Sequence, residues 1–388
     1  FALLTRGADP SATQLTSWND TTLYITLLLA VFIILFGTRS VDASEKHEGM
    51  VAAIAFESII KLAAFLAAGI FVCYGVFNGF GDIYSRAAAS KELQQLFTLE
   101  PTSSYSTWLG LILLSMLAVV FLPRQFQVAV VENVQEAHLK KASWLFPLYL
   151  FVINLFVLPL AFAGNLLQTG THADMFVLGI PLQFDQKLLS LFIFIGGFSA
   201  ASSMIIVETI ALSTMVSNNL VLPGFIRSSL FQTRKEGNAS QLIIAIRRFS
   251  IAGILLLAFA YDKLVAEKLS LVSIGLVSFV AVAQFAPAAI GGMYWKGASK
   301  HGALAGIVAG FSIWFVTLVI PSMISAGLLP ASILKEGLFG SALLKPFALF
   351  GLTGLDSIIH SFFWSLFFNC LLFFGISFYS KKSAEELY

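Results

Sequence analysis

Apolar residues run almost unbroken through nine stretches of the chain, near residues 22–38, 50–77, 107–122, 143–163, 188–217, 240–261, 269–295, 302–322 and 357–379. A helix needs about 20 apolar residues to cross a bilayer core about 30 Å thick, whereas barrel strands alternate over about 10. The runs here are continuous, so they predict transmembrane helices and an all-α, polytopic helix bundle. The run at 188–217 is thirty residues long. At 1.5 Å each that is about 45 Å of helix, which asks for tilt or for an extension beyond the membrane. It stops at Asn218, Asn219 and Pro223. The run at 107–122 is short and ends in Pro123, Arg124 and Gln125. Such an interruption is tolerated at membrane depth only where the freed backbone groups meet protein or a water-filled cavity, and interrupted spans mark the binding sites of carriers.

Composition supports the membrane reading: 58% of residues are hydrophobic, 11% are charged, and the mean hydropathy is +0.87. Soluble domains carry about 25% charged residues. A net charge of +2 is too small to suggest nucleic acid as a partner. Cys73 and Cys370 both lie inside apolar runs and read as small buried hydrophobes, with no disulfide or metal framework implied. The chain opens on Phe1, and its first twenty residues are polar and poor in basic charge, unlike a secretory leader, so the sequence reads as part of a longer protein.

Lys and Arg are retained on the cytoplasmic side during insertion. If the segment holding Arg39 and Lys46 is inner, alternate segments give 14 basic residues inside against 8 outside. The inner set includes Arg124, Lys140, Lys141, Arg227, Arg234, Lys235, Arg247 and Arg248. The N-terminus is then expected outside and the C-terminus inside. The longest connections, 80–106, 164–186 and 323–356, fall outside as loops, the last partly apolar and expected against the membrane surface. No short repeat is apparent.

Three constellations could carry chemistry. Ser199, Ser202 and Ser203 share one face of the long span, because offsets of three and four residues coincide on a helix. Hydroxyls, with carbonyls from a broken neighbour, suit Na⁺ as a hard ion that takes oxygen ligands. The same residues, with Gly196 and Ala200, equally suit close helix packing. Ionisable residues at membrane depth are the second: Glu57 and Lys61 stand four apart in the order that favours an intrahelical pair, and Glu208 lies beyond the serines. Glu208 either carries a proton or reaches the interface. The third is Pro123, Arg124 and Gln125, where a guanidinium at a helix break fits a substrate carboxylate or anchors the helix among phosphates. Gln284, three residues before Pro287, is a further candidate for solute contact or for interhelical bonding. Enzyme signatures are weak. Asp82 in Gly79-Phe80-Gly81-Asp82 has no second intramembrane Asp, and His47-Glu48 lacks the second His of a zinc protease.

Four stretches carry a resemblance: Thr38-Arg39-Ser40-Val41-Asp42 through Ala55-Phe56-Glu57-Ser58-Ile59-Ile60-Lys61; Leu122-Pro123-Arg124-Gln125-Phe126 through Val131-Glu132-Asn133; Glu208-Thr209-Ile210-Ala211-Leu212-Ser213-Thr214; and Lys300-His301-Gly302-Ala303-Leu304-Ala305-Gly306. From about residue 5 to about residue 380 the chain resembles the sodium/solute symporter family, and within it the subgroup whose membrane half is joined to a sensor histidine kinase. The resemblance implies a five-plus-five inverted-repeat (LeuT-type) transporter fold. The solute would lie near mid-membrane, and the coupling ion, Na⁺ or H⁺, between the first and eighth core helices. The long span would be that eighth helix, with Ser199, Ser202 and Ser203 as cation ligands, or Ala200 and Ser203 if the alignment slips by one. Relative to that family the first four or so spans are not in the sequence, so this piece alone is expected not to transport. Residues 1–380 then form a partial symporter-like domain and 381–388 the start of a linker to kinase domains, without kinase activity in this chain. The expected partners are the lipid bilayer, a small organic solute (an amino acid first) and those kinase domains, with no other cofactor. The expected location is a bacterial-type inner membrane. The alternative is a solute receptor that signals without transport.

Overall fold

The structure is a computed structural model that describes residues 21–37, 48–97, 105–168, 172–226, 236–265 and 269–380. In chain order its main helices are α1 (Thr21–Phe36), α2 (Glu48–Ile70), α3 (Phe80–Ala89), α4 (Tyr105–Phe121), α5 (Pro123–Phe126), α6 (Glu136–Asn154), α7 (Val157–Leu166), α8 (Phe176–Gln183), α9 (Lys187–Met215), α10 (Glu236–Leu264), α11 (Leu271–Ala283), α12 (Ala286–Tyr294), α13 (Lys300–Trp314) and α14 (Ser357–Tyr379). Among the described residues, seven helical runs are long and apolar enough to cross a membrane, and the bent pair α4–α5 makes an eighth. Helix α1 has 16 residues, about 24 Å, less than a crossing needs. Residue 38, where the sequence places its end, lies outside the described residues, as do Arg39, Lys46, Arg227, Arg234, Lys235 and the expected linker at 381–388.

At most a third of the most apolar window of any span is buried within the protein. Leu188, Trp144 and Phe249 are among the large apolar side chains left about four-fifths exposed. Apolar faces of that extent are not sustained in water, and hydrocarbon covers them without cost. The chain is a multi-pass, all-α membrane protein.

The chain divides into two compact units, one formed by residues 1–97 and 126–259, the other by 98–125 and 260–388. In the first, Ala30 and Ile33 of α1, Ile210 of α9, and Ile251 and Leu255 of α10 make one buried cluster. A second is built from Val72, Cys73 and Phe77 after α2, Ile83 and Ala87 of α3, Leu160, Phe162 and Ala163 of α7, and Phe176 and Ile180 of α8. The stretches 80–106 and 164–186 are therefore not plain loops. Ile83 and Ala87, four apart, give α3 a narrow apolar stripe that buries completely. A pattern of two positions is too short to stand out from a mixed segment.

Helix α3 is fixed by Asp82. Its carboxylate accepts from the Asn78 N–H at 3.1 Å and from Arg86 Nε at 2.7 Å. These bonds, Arg86 foremost, hold the Asp82 carboxyl below the ordinary carboxylate range. A depressed carboxyl stabilises above its unfolded value, near pH 4, and that contribution is lost as pH falls through the lower folded value. Hydrogen-exchange protection over 80–89, corrected for intrinsic rate, is expected to hold from neutral pH to about 4 and to decline below it. In Asp82→Asn the acid-dependent step is expected to vanish.

In the second unit Leu114 of α4, Val280 and Ala283 of α11, Leu318 in the turns that follow α13, and Phe362 of α14 form the apolar core. Helices α13 and α14 pack along most of their length. A methyl group at Gly302 would meet Ser377 Oγ, at Gly306 the Asn369 carbonyl oxygen at 2.8 Å, and at Gly310 the Gln284 amide. Glycine at spacing four thus lets two backbones approach closely, as small residues do between membrane helices. The segment 323–356 holds two Leu-Phe-Gly turns in which Phe339 and Phe350 both take φ 55°, a repeat the sequence hides because only three residues recur. Leu349 of the second turn is buried, and its N–H donates to His360 Nε2 at 3.1 Å.

Candidate functional site

In the first unit, α2 and α9 meet where Gly196 faces Ala64, and a methyl group on Gly196 would lie 2.5 Å from Ala64 Cβ and 3.7 Å from Lys61 Cα. Ala200 and Ser203 follow Gly196 by four and seven residues, so they continue its face along α9, with Ser199 and Ser202 on the flank. All four are half-buried. Ser202 Oγ donates to the Ser199 carbonyl at 3.0 Å, and Ser203 Oγ donates to the Ala200 carbonyl at 3.2 Å. Each hydroxyl proton is thereby turned back onto its own helix. A hydroxyl that donates keeps its acceptor lone pairs, so these oxygens retain the capacity to face a cation.

Helix α2 brings the ionisable groups. Glu57 stands seven residues before Ala64, two turns along the same face. Its Oε2 is buried and meets no hydrogen-bond partner among the described residues. The Lys61 ammonium lies 5.7 Å from the centre of the Tyr149 ring of α6, and Tyr149 Oη donates to the Ser58 carbonyl at 3.3 Å. Lys61 thus leans on an aromatic face, an arrangement that attracts a cation. Glu208 is half-buried further along α9. The serines, Ala200, Glu57, Lys61 and Glu208 all belong to this unit.

Pro123, Arg124, Gln125 and Gln284 belong to the other. The chain bends by 50° between α4 and the helix that Pro123 opens, with Arg124 and Gln125 half-buried. Proline removes an N–H donor and crowds the preceding turn, which accounts for the bend. Gln284 sits at a second break, between α11 and α12, three residues before Pro287. It is fully buried. Gln284 Nε2 donates to Ser365 Oγ at 2.9 Å and to the Val280 carbonyl at 3.0 Å. Asn369 Nδ2 donates to the Gln284 carbonyl at 2.7 Å and to its Oε1 at 3.1 Å. Both ends of that amide are engaged by protein, so contact with a solute requires exchanging one of these bonds.

Asn369 was not singled out by the sequence, nor were its neighbours on α14. Ser361, Ser365, Asn369 and Ser377 are buried, and Ser361 shares a 2.6 Å hydrogen bond with Thr317. Ser377 Oγ accepts from the Ser299 N–H at 3.2 Å. The signal that would have found them is a spacing of four or eight: Ser361, Ser365, Asn369 and Ser377 against Gly302, Gly306 and Gly310.

Comparison of the chain with protein-family models, with curated proteins and with solved structures finds no match in any of the three.

Proposed function

We propose that this chain is the membrane module of a cation-coupled carrier for a small organic solute, an amino acid first, and that it forms the transport and sensing half of a sensor histidine kinase. The observation that carries the reading is the seam of α2 and α9. There Ser203, with Ala200, continues the face of closest helix approach and Ser199 and Ser202 flank it, the Ser202 and Ser203 protons are turned onto their own helix, and the facing helix carries Glu57, whose buried Oε2 meets no hydrogen-bond partner among the described residues. Hydroxyl oxygens suit Na⁺, and a carboxyl in that place suits H⁺. The two interrupted spans, at Leu122 and at Gln284–Phe285, add the kind of backbone break from which carriers build solute sites. The five-plus-five repeat and the role of α9 as its eighth core helix rest on the sequence resemblance.

A solute can drive such a module between two states only by binding one of them better. Uptake of labelled amino acids by the full-length protein in vesicles, under a Na⁺ gradient, an H⁺ gradient and no gradient, tests the reading. Gradient-dependent accumulation is expected. Solute-dependent signalling with no flux under any gradient would favour the receptor that does not transport.

A further inference from the structure

A groove of about 610 Å³ runs between α1 and α10, lined by Ile34 and by Gln241, Ile244, Ala245, Arg248, Phe249 and Ala252. The α10 residues recur at intervals of three and four, so the groove follows one face of that helix. Ile251 and Leu255, on the adjacent face, are buried against α1 and α9, which fixes α10 and leaves the lined face beside them. Arg248 and Gln241 are exposed at the groove, and Phe249 is 79% exposed.

The chemistry changes along its length. Gln241 opens the apolar span Gln241–Leu264, and Arg248 lies seven residues further in, about 10 Å. A guanidinium at that depth reaches for the headgroup layer with its long stem and is stabilised by an anion that comes down to meet it. Arginine binds phosphate through two parallel N–H bonds. Ile244 and Ala245 lie between the two polar residues and Phe249 and Ala252 follow Arg248 toward the middle of the span, and these walls, with Ile34, offer apolar contact. An acidic head followed by an apolar tail is the chemistry of an anionic phospholipid. We propose that this groove is a binding site for one anionic phospholipid, its phosphate on Arg248 and Gln241 and one acyl chain along α10. The proposal stands independently of the carrier reading.

Native mass spectrometry of the full chain, released from detergent with added phosphatidylglycerol or phosphatidylcholine, tests it. The intact protein is expected to retain phosphatidylglycerol at least fivefold better than phosphatidylcholine, the scale of one basic residue at a membrane surface. Arg248→Gln is expected to remove that preference. Ala252→Phe, which fills the apolar part of the groove, is expected to weaken retention of the lipid while leaving Arg248 in place. Glycerol 3-phosphate, added as the headgroup without chains, is expected to compete poorly. Equal retention of the two lipids by the intact protein, an unchanged preference in both variants, or full competition by glycerol 3-phosphate would each overturn the proposal, the last by showing a free-phosphate site.

Discussion

Gly306→Ala is expected to destabilise the second unit by about 3 kcal/mol, whereas Gly292→Ala, fourteen residues earlier in sequence on α12, should leave stability unchanged or raise it slightly. The added methyl at Gly306 would sit 2.7 Å from Asn369 Oδ1, 2.8 Å from the Asn369 carbonyl oxygen and 3.0 Å from Phe373 Cβ. Two of those atoms belong to the backbone or to its first side-chain carbon, so relief requires α14 as a whole to move. Movement also pulls Asn369 from Gln284, leaving a buried amide unbonded, and overpacking and a lost buried bond are each worth about 1–3 kcal/mol. At Gly292 a methyl group meets nothing within 4 Å. Thermal unfolding of the two variants in the same detergent decides the matter. Equal midpoints would show that the α13–α14 seam does not hold this unit together.

The second large effect is expected on ion coupling. The double substitution Ser202→Ala/Ser203→Ala removes two oxygens from the α9 face and should raise the Na⁺ concentration for half-maximal uptake by the full-length protein at least tenfold, about 1.4 kcal/mol. Stability offers the control. Among the described residues both hydroxyls bond only to carbonyls of their own helix, and alanine is the better helix former by a few tenths of a kcal/mol. Unfolding should therefore be unaffected or slightly later. A variant that unfolds early would point to packing across the α2–α9 seam instead of ion binding.

Much of the architecture was legible because lipid imposes a simple rule: a crossing helix must be apolar over about 20 residues, and few other patterns look like that. The predicted runs at 50–77, 240–261, 302–322 and 357–379 match the spans Val51–Val76, Gln241–Leu264, Lys300–Ser325 and Ser357–Tyr379, while the run at 188–217 continues past Asn218 and Asn219 to Gly224. The caps over the first unit were not legible, since α3 and α8 bury only a few positions each, and an amphipathic stripe that short has no clear period. Chemistry was harder still. A serine on an apolar run reads the same whether it touches an ion or a neighbouring helix, and only the bonds of Ser202 and Ser203 show where their protons go. Gln284 was visible as an amide at membrane depth, but its partner Asn369 lies 85 residues further on, beyond any local pattern. The motif Thr38–Asp42 falls outside the described residues.

Equilibrium binding of radioactive Na⁺ to the purified full-length protein is the most direct test of the hydroxyl face on α9. The intact protein should take up Na⁺ saturably, and Ser202→Ala/Ser203→Ala, equally folded, should lose that uptake. Saturable binding of the same strength in both proteins, or none in the intact one, would contradict a Na⁺ site at Ser199, Ser202 and Ser203.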